Sequence, residues 1–181
     1  MKLSTNNQKW LKVLHVYLGG IWAGGAASLF AIHCLYPTNS GSELYARNMA
    51  MIYIDNYIII PAAIGSCLTG LLYSHLTKWG YLKYYWVITK WIFTITFIVI
   101  GFFWLIPWLN NMLEVSTTLR NSLVIDSSSY DVAMSVHLAM TVLQSVLLFF
   151  VVIISVFKPW GRTKFKRENP YKTIASLNYN L

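Results

Sequence analysis

The stretch Trp10-Leu-Lys-Val-Leu-His-Val-Tyr-Leu-Gly-Gly-Ile-Trp-Ala-Gly-Gly-Ala-Ala-Ser-Leu-Phe-Ala-Ile-His-Cys-Leu35 decides the fold. It is too long and too apolar for the surface helix of a soluble domain. No Asp, Glu, Lys or Arg occurs between Val13 and Ser42. His15 and His33 are 18 residues apart within it. At 100° per residue they return to one helix face, roughly 27 Å apart along the axis. That approaches the ~30 Å hydrocarbon core of a bilayer.

Working outward, three further windows lack Asp, Glu, Lys and Arg: 56–77, 91–113 and 132–157. Each can contain a spanning helix of ~20 residues. The expected spans are 11–34, 57–76, 86–108 and 132–157. Only helices and closed barrels satisfy their backbone hydrogen bonds in lipid, so the reading is all-α: one domain over 1–181, a four-helix transmembrane bundle. A composition of 56% hydrophobic and 11% charged residues excludes an ordinary soluble enzyme. The first span outlasts a signal-peptide apolar region of about 7–15 residues, so it is expected to be retained.

The net charge of +8 is distributed by topology. With the N-terminus inside, Lys2, Lys9, Lys12, Lys78, Lys83, Lys158, Arg162, Lys164, Lys166, Arg167 and Lys172 lie on the cytoplasmic side. Arg47 and Arg120 alone lie outside. Under the positive-inside rule both termini are expected to be cytoplasmic, in a bacterial inner membrane. The basic tail 158–181 then meets anionic lipid headgroups, and no nucleic-acid partner is expected. Cys34 and Cys67 stand in no CxxC pattern, which argues against a disulfide framework. The polar stretches 35–55 and 109–131 are expected as outer loops. The first carries helical content from Glu43 to Tyr53. In the second, the Asp126-Ser127-Ser128-Ser129 run marks a turn or N-cap. Residues 77–85 form a tight inner loop. Pro61, Gly65 and Gly70 are expected to weaken or bend the second span, with Asp55-Asn56 capping its start.

Ionisable groups within a membrane raise a functional hypothesis by default. His15, His75 and Lys90 lie toward the inner side; His33 and His137 lie toward the outer side. Imidazole pairs on facing helices hold haem in membrane cytochromes, and imidazole also suits copper or zinc. The metal candidates are thus His15, His33, His75 and His137. Structural roles compete with this reading: His75 near Lys78 suits a solvated interface, His137 suits a satisfied core position, and Lys90 can snorkel to the headgroups. Gly20 and Gly24 form a GxxxG that serves close helix packing or leaves room for a flat macrocycle. Gly19, Trp22, Ala26 and Leu29 share the His15 face, which makes Trp22 a candidate cofactor wall.

Trp10-Leu-Lys-Val-Leu-His15, Trp22 and Gly24-Gly25, Asn56 with Pro61, Gly70-Leu71 and Lys90 together resemble a bacterial four-helix membrane superfamily. It includes the oxygen-independent protoporphyrinogen oxidase of the HemJ type and the CopD-type copper-resistance domain. The runs Lys78-Trp-Gly-Tyr81 and Trp86-Val-Ile88 with Lys90-Trp91 are closer to an uncharacterised branch of predicted integral membrane proteins. The resemblance covers about residues 10–110. It implies that His15 is a haem-ligand candidate and that Lys90 is functionally required. The oxidase's arginine near the end of its first helix is Ala31 here, and 91–113 contain no histidine. The expectation is therefore a site for haem b, one or two, with an electron-transfer or oxidoreductase role and a quinone, a porphyrin or another redox membrane protein as partner. In that scheme Lys90 or His75 completes the inner site, and His33 with His137 forms an outer one. The alternatives are copper binding or transport through His33, Cys34, His137, Met134 and Met140, and a non-enzymatic scaffold docking through the tail.

Overall fold

The computed structural model describes residues 3–77, 79–121 and 128–163. Four helices make the fold: α1, Thr5–Leu35; α2, Gly41–Leu76; α3, Tyr85–Thr118; and α4, Ser128–Phe157. All four are long and apolar enough to cross a membrane. Among the described residues there is no strand, only an isolated antiparallel bridge between Tyr84 and Arg162. Val13, Tyr17, Ile64, Leu68, Ile92, Phe102, Phe149 and Val156 are exposed, as a lipid-facing surface requires.

Two boundaries differ from those expected. The helical content expected from Glu43 to Tyr53 is present but is continuous with the second span, and 109–118 of the second expected loop are helix as well. α2 begins at Gly41, and α3 runs on to Thr118. The start of α2 follows a capping pattern: the Ser40 hydroxyl accepts from the Glu43 N–H at 3.4 Å, and the Glu43 carboxylate reaches back to the Asn39 N–H at 2.8 Å. The 36 residues of α2 span roughly 54 Å at 1.5 Å per residue. That exceeds the hydrocarbon core, so its first turns pack with the last turns of α3 over the end of the bundle. Asp55 therefore caps nothing. It lies inside a continuous helix and is buried. The Asp126–Ser127 half of the expected cap falls outside the described residues.

Proline accounts for the middle of both long helices. Pro61 has no N–H and its ring displaces the carbonyl one turn earlier. The helix answers with a π turn over Asp55–Ile59, closed by the Ile60 N–H on the Asp55 carbonyl. α3 repeats the device: a π turn over Gly101–Leu105, closed by Ile106 on Gly101, and then Pro107. These residues widen the helix locally without breaking it.

Contacts set the depth of every residue. α1 and α2 run antiparallel: His15 meets Thr69, Gly19 meets Ser66, and Gly25 meets Ile59. Four residues beyond Gly25, Leu29 therefore sits level with Asp55. On α4, His137 meets His33, while Leu148 shares a cavity with Trp22; Thr141 and Gln144 fall between. On α3, Phe97 packs edge-on against Trp22 with centroids 5.7 Å apart. Lys90, two turns toward the basic end, is thus level with His15.

Gly25 fixes the α1–α2 approach. A Cβ there would lie 2.6 Å from Ile59 Cγ1, closer than any real contact. Gly25→Ala is expected to destabilise the bundle by about 1–3 kcal/mol, the cost of overpacking. Thermal unfolding in detergent measures it. Gly24→Ala, with open space at its Cβ, is the neutral control.

Candidate functional site

The basic half of the bundle encloses a cavity of about 450 Å³, within the range of small-molecule and cofactor sites. Its mouth carries Lys12 and Lys158, and Lys90 reaches it from α3. Its far end is closed by Trp22, Phe97 and Leu148. The walls are aromatic on α3, with Trp86 and Trp91, and small on α1 and α2, with Gly19, Gly20 and Gly70. From Lys12 to Trp22 the cavity is roughly 15 Å deep along α1.

His15 is the one histidine that lines it. Its Nδ1 lies 3.1 Å from the Ser66 carbonyl and 3.1 Å from Thr69 Oγ1. A carbonyl only accepts, so Nδ1 carries the proton and donates. Thr69 turns its own hydroxyl hydrogen to the Gly65 carbonyl at 2.7 Å, leaving its oxygen to accept from His15. Nε2 is then the basic nitrogen of the ring. This arrangement, one ring nitrogen pinned to a backbone carbonyl and the other left with its lone pair, is how proteins prepare an imidazole for a metal. Gly70 makes room for it, since a Cβ there would lie 3.2 Å from His15 Cε1.

Charge gathers at the mouth. The Lys158 ammonium lies 4.7 Å from the Trp79 ring centroid and 5.7 Å from that of Trp86, a cation–π placement. Lys158 ends α4 in the left-handed region at φ 47°, and Pro159 prevents the helix from continuing. The chain then crosses the inner loop, with Thr163 bonded to the Lys83 and Leu82 carbonyls. Lys12, Lys90 and Lys158 line a cavity whose other walls are almost wholly apolar. An amphiphile with an apolar body and anionic groups at one end matches it.

His75 stands apart from this site. It is exposed, and its ring faces Tyr81 at 6.2 Å between centroids. Depth along the bundle groups it with His15, but it occupies a different helix face.

The other two histidines meet each other, as their depths imply. His33 Nε2 and His137 Nδ1 are 2.8 Å apart and both rings are buried. Direct contact leaves no gap for a macrocycle, so a haem does not fit between them. Beside them is a polar cluster that the sequence reading missed. Arg47, 5% exposed, donates to the Tyr36 carbonyl at 3.2 Å, to the Tyr130 hydroxyl at 2.6 Å and to Met134 Sδ at 3.7 Å. Tyr130 donates to Asn48 Oδ1, and Asn48 to the Met112 carbonyl. For copper, the Met134 sulfur is engaged by a guanidinium and Cys34 is exposed. Among the described residues no group of three His, Cys, Asp or Glu side chains forms a metal-binding cluster.

Comparison with protein-family models, with curated proteins and with solved structures finds no match to this chain.

Proposed function

We propose that this chain is a haem b-binding membrane protein with an electron-transfer or oxidoreductase role. Its site is the cavity of the basic half, and a quinone or a porphyrin is its exchange partner. We place it in a bacterial cytoplasmic membrane with the basic end inside, following the distribution of lysine and arginine. One observation carries the reading: a histidine whose Nδ1–H is held by a backbone carbonyl lines an apolar cavity rimmed by three lysines. The resemblance of His15 and Lys90 to positions of the haem-associated superfamily points the same way.

The donor set fits one haem. His15 would supply the nitrogen ligand, and Lys12, Lys90 and Lys158 would supply cations for two propionates. Trp86 and Trp91 give flat apolar walls, and Gly19 and Gly20 keep α1 low against the cavity. Bound there, haem supplies a one-electron centre. Ser66 and Thr69 hold the tautomer and orientation of the His15 ring. Trp22, Phe97 and Leu148 close the cavity toward the membrane centre and keep water from its deep end.

The test is the absorption spectrum of the purified protein, before and after haem reconstitution, with parallel metal analysis. A Soret band at one haem per chain is the expected result. Protein that stays colourless after reconstitution overturns the proposal. Thr69→Val removes one of the two acceptors at His15 Nδ1 and leaves the Ser66 carbonyl. It is expected to weaken haem affinity about tenfold, the low end for losing a partner behind a ligating histidine. Haem titration of the apoprotein measures it.

A further inference from the structure

The residues that line the cavity do not share one environment. Those from α2 and α3 are buried or half-buried. Among the described residues, the lining positions that are also exposed are Lys12, Val16 and Gly20 on α1, Val152 and Val156 on α4, and Lys158 just past the end of α4. Val16 is 61% exposed, Val152 51% and Val156 69%, although each borders the cavity as well. Residues four apart share a helix face, so Lys12, Val16 and Gly20 form one edge and Val152 and Val156 the edge opposite. At the acidic end α1 and α4 touch through His33 and His137. Toward the basic end the cavity comes between them, and the two edges frame a gap in the lipid-facing side of the bundle. Nothing stands over Gly20, whose Cβ position has open space around it. The end toward the basic loop is covered instead. Trp79 packs edge-on against Trp86 with centroids 5.3 Å apart, Lys158 lies over both rings, and the Thr163 N–H donates to the Lys83 carbonyl beside them.

We propose that this gap is a side entrance through which the cavity is loaded from the bilayer, and that what enters is an acid dissolved in the leaflet at the basic end, an apolar body with one anionic head. The proposal rests on the cavity being a ligand site, as the proposed function has it, and not on haem being the ligand. Lipid tails and the cavity walls are alike apolar, so the body exchanges one such surface for another on its way in. The head decides the route, because carrying a charge through hydrocarbon is costly. This entrance avoids that cost. α1 and α4 run antiparallel, with His33 against His137 at one end, so Lys12 and Lys158 come level at the other. Long cationic side chains there reach the headgroup layer. The head stays among the lysines while the body turns in between Gly20 and Val152, and Lys90, half-buried on α3, meets the head from inside. An amphiphile of the same shape with a cationic head is repelled by the same three groups. A cavity of about 450 Å³ suits one small body, which excludes the two-chain phospholipid that surrounds it.

The experiment is timed photolabelling of the full-length apoprotein in vesicles. The probe is a long-chain fatty acid with a diazirine on its chain, delivered from donor vesicles and flashed at successive times, and mass spectrometry maps the labelled residues. Label on Trp22, Trp91 and Leu148, which line the cavity away from its exposed edges, is the expected result. Its appearance is expected to slow at least tenfold in Gly20→Phe and in Val152→Trp, which narrow the gap from opposite edges. Label on exposed Phe102 and Phe149 is expected to keep its rate in both variants, which shows that each is folded in the bilayer. A trimethylammonium analogue and a phospholipid with the same diazirine are expected to label Phe102 and Phe149 and to leave the cavity unlabelled. An unlabelled cavity beside labelled Phe102 and Phe149 overturns the proposal, as does an unaltered rate in both edge variants. Cavity label from the cationic analogue or from the phospholipid overturns the assignment of an acid. The probe carries no iron. A colourless protein would therefore remove the haem reading and leave the entrance standing, and an unlabelled cavity beside a full Soret band would do the reverse.

Discussion

Replacing His15 by alanine is expected to abolish the Soret band of the purified protein and to lower haem affinity by more than about 100-fold, beyond the ~10–100-fold typical of losing a supporting partner. The reasoning starts from what the ring does in the fold. Its Nδ1–H donates to Ser66 and Thr69, yet neither acceptor depends on it: the Ser66 carbonyl lies in a helix, and Thr69 keeps its bond to Gly65. Losing the ring therefore costs the fold only about 1 kcal/mol of hydrogen bonding. It removes the sole imidazole of the cavity. Two controls separate ligation from collapse. His75→Ala, at an exposed position against Tyr81, is expected to keep the full band. Imidazole added to His15→Ala should restore absorbance by entering the space left by the ring, whereas it should not rescue Lys90→Ala, whose loss is of charge at the mouth. A His15→Ala protein with an undiminished Soret band would show that the iron is held elsewhere.

Charge-free windows were enough to read four spanning helices, because lipid tolerates so few charges that their absence is a signal by itself. The same rule hid where two of the helices start and stop. Past the hydrocarbon, α2 and α3 continue with polar residues, and polar residues at a span's end were read as loop. The Ser40-x-x-Glu43 pattern was the available signal for the true start of α2. Pro61 marks where the second span departs from regular α-helix, and the form of the departure, a π turn over Asp55–Ile59, depends on neighbouring packing that no local rule contains. Depth could be read well: His33 with His137, and His15 with Lys90, lie level as the residue counts imply. Helix face could not be read as well, which is why His75 was grouped with a cavity it does not line. Arg47 and Asp55 were missed for a different reason. In the sequence topology accounts for both, one as an outer basic residue and one as a cap, and burial is a tertiary property invisible in a list of charges.

Arg47→Lys is expected to destabilise the bundle more than Arg47→Met does, by about 3 kcal/mol against a smaller loss. This reverses the order expected from conserving charge. Buried at 5% exposure, the guanidinium uses its planar fork to reach two places at once: Nη1 to the Tyr36 carbonyl, and Nη2 to Tyr130 and Met134. An ammonium is a single shorter point and cannot span them. Lysine would keep the full desolvation cost of a buried cation while leaving acceptors behind, the situation that makes a broken buried charge contact cost ~3–5 kcal/mol. Methionine loses the same hydrogen bonds and also removes the charge, and its flexible thioether can fill part of the space beside Met134. Tyr130 retains its bond to Asn48 Oδ1 in either variant, so the rest of the cluster holds together. Thermal unfolding of the two variants in the same detergent checks the ranking. If lysine proves the milder change, the guanidinium is acting as a charge and the fork contributes nothing. Adding Tyr130→Phe to each then gives a double-mutant cycle: coupling of about 1 kcal/mol or more is expected between Arg47 and Tyr130, whose 2.6 Å hydrogen bond ties the first turns of α2 to the start of α4.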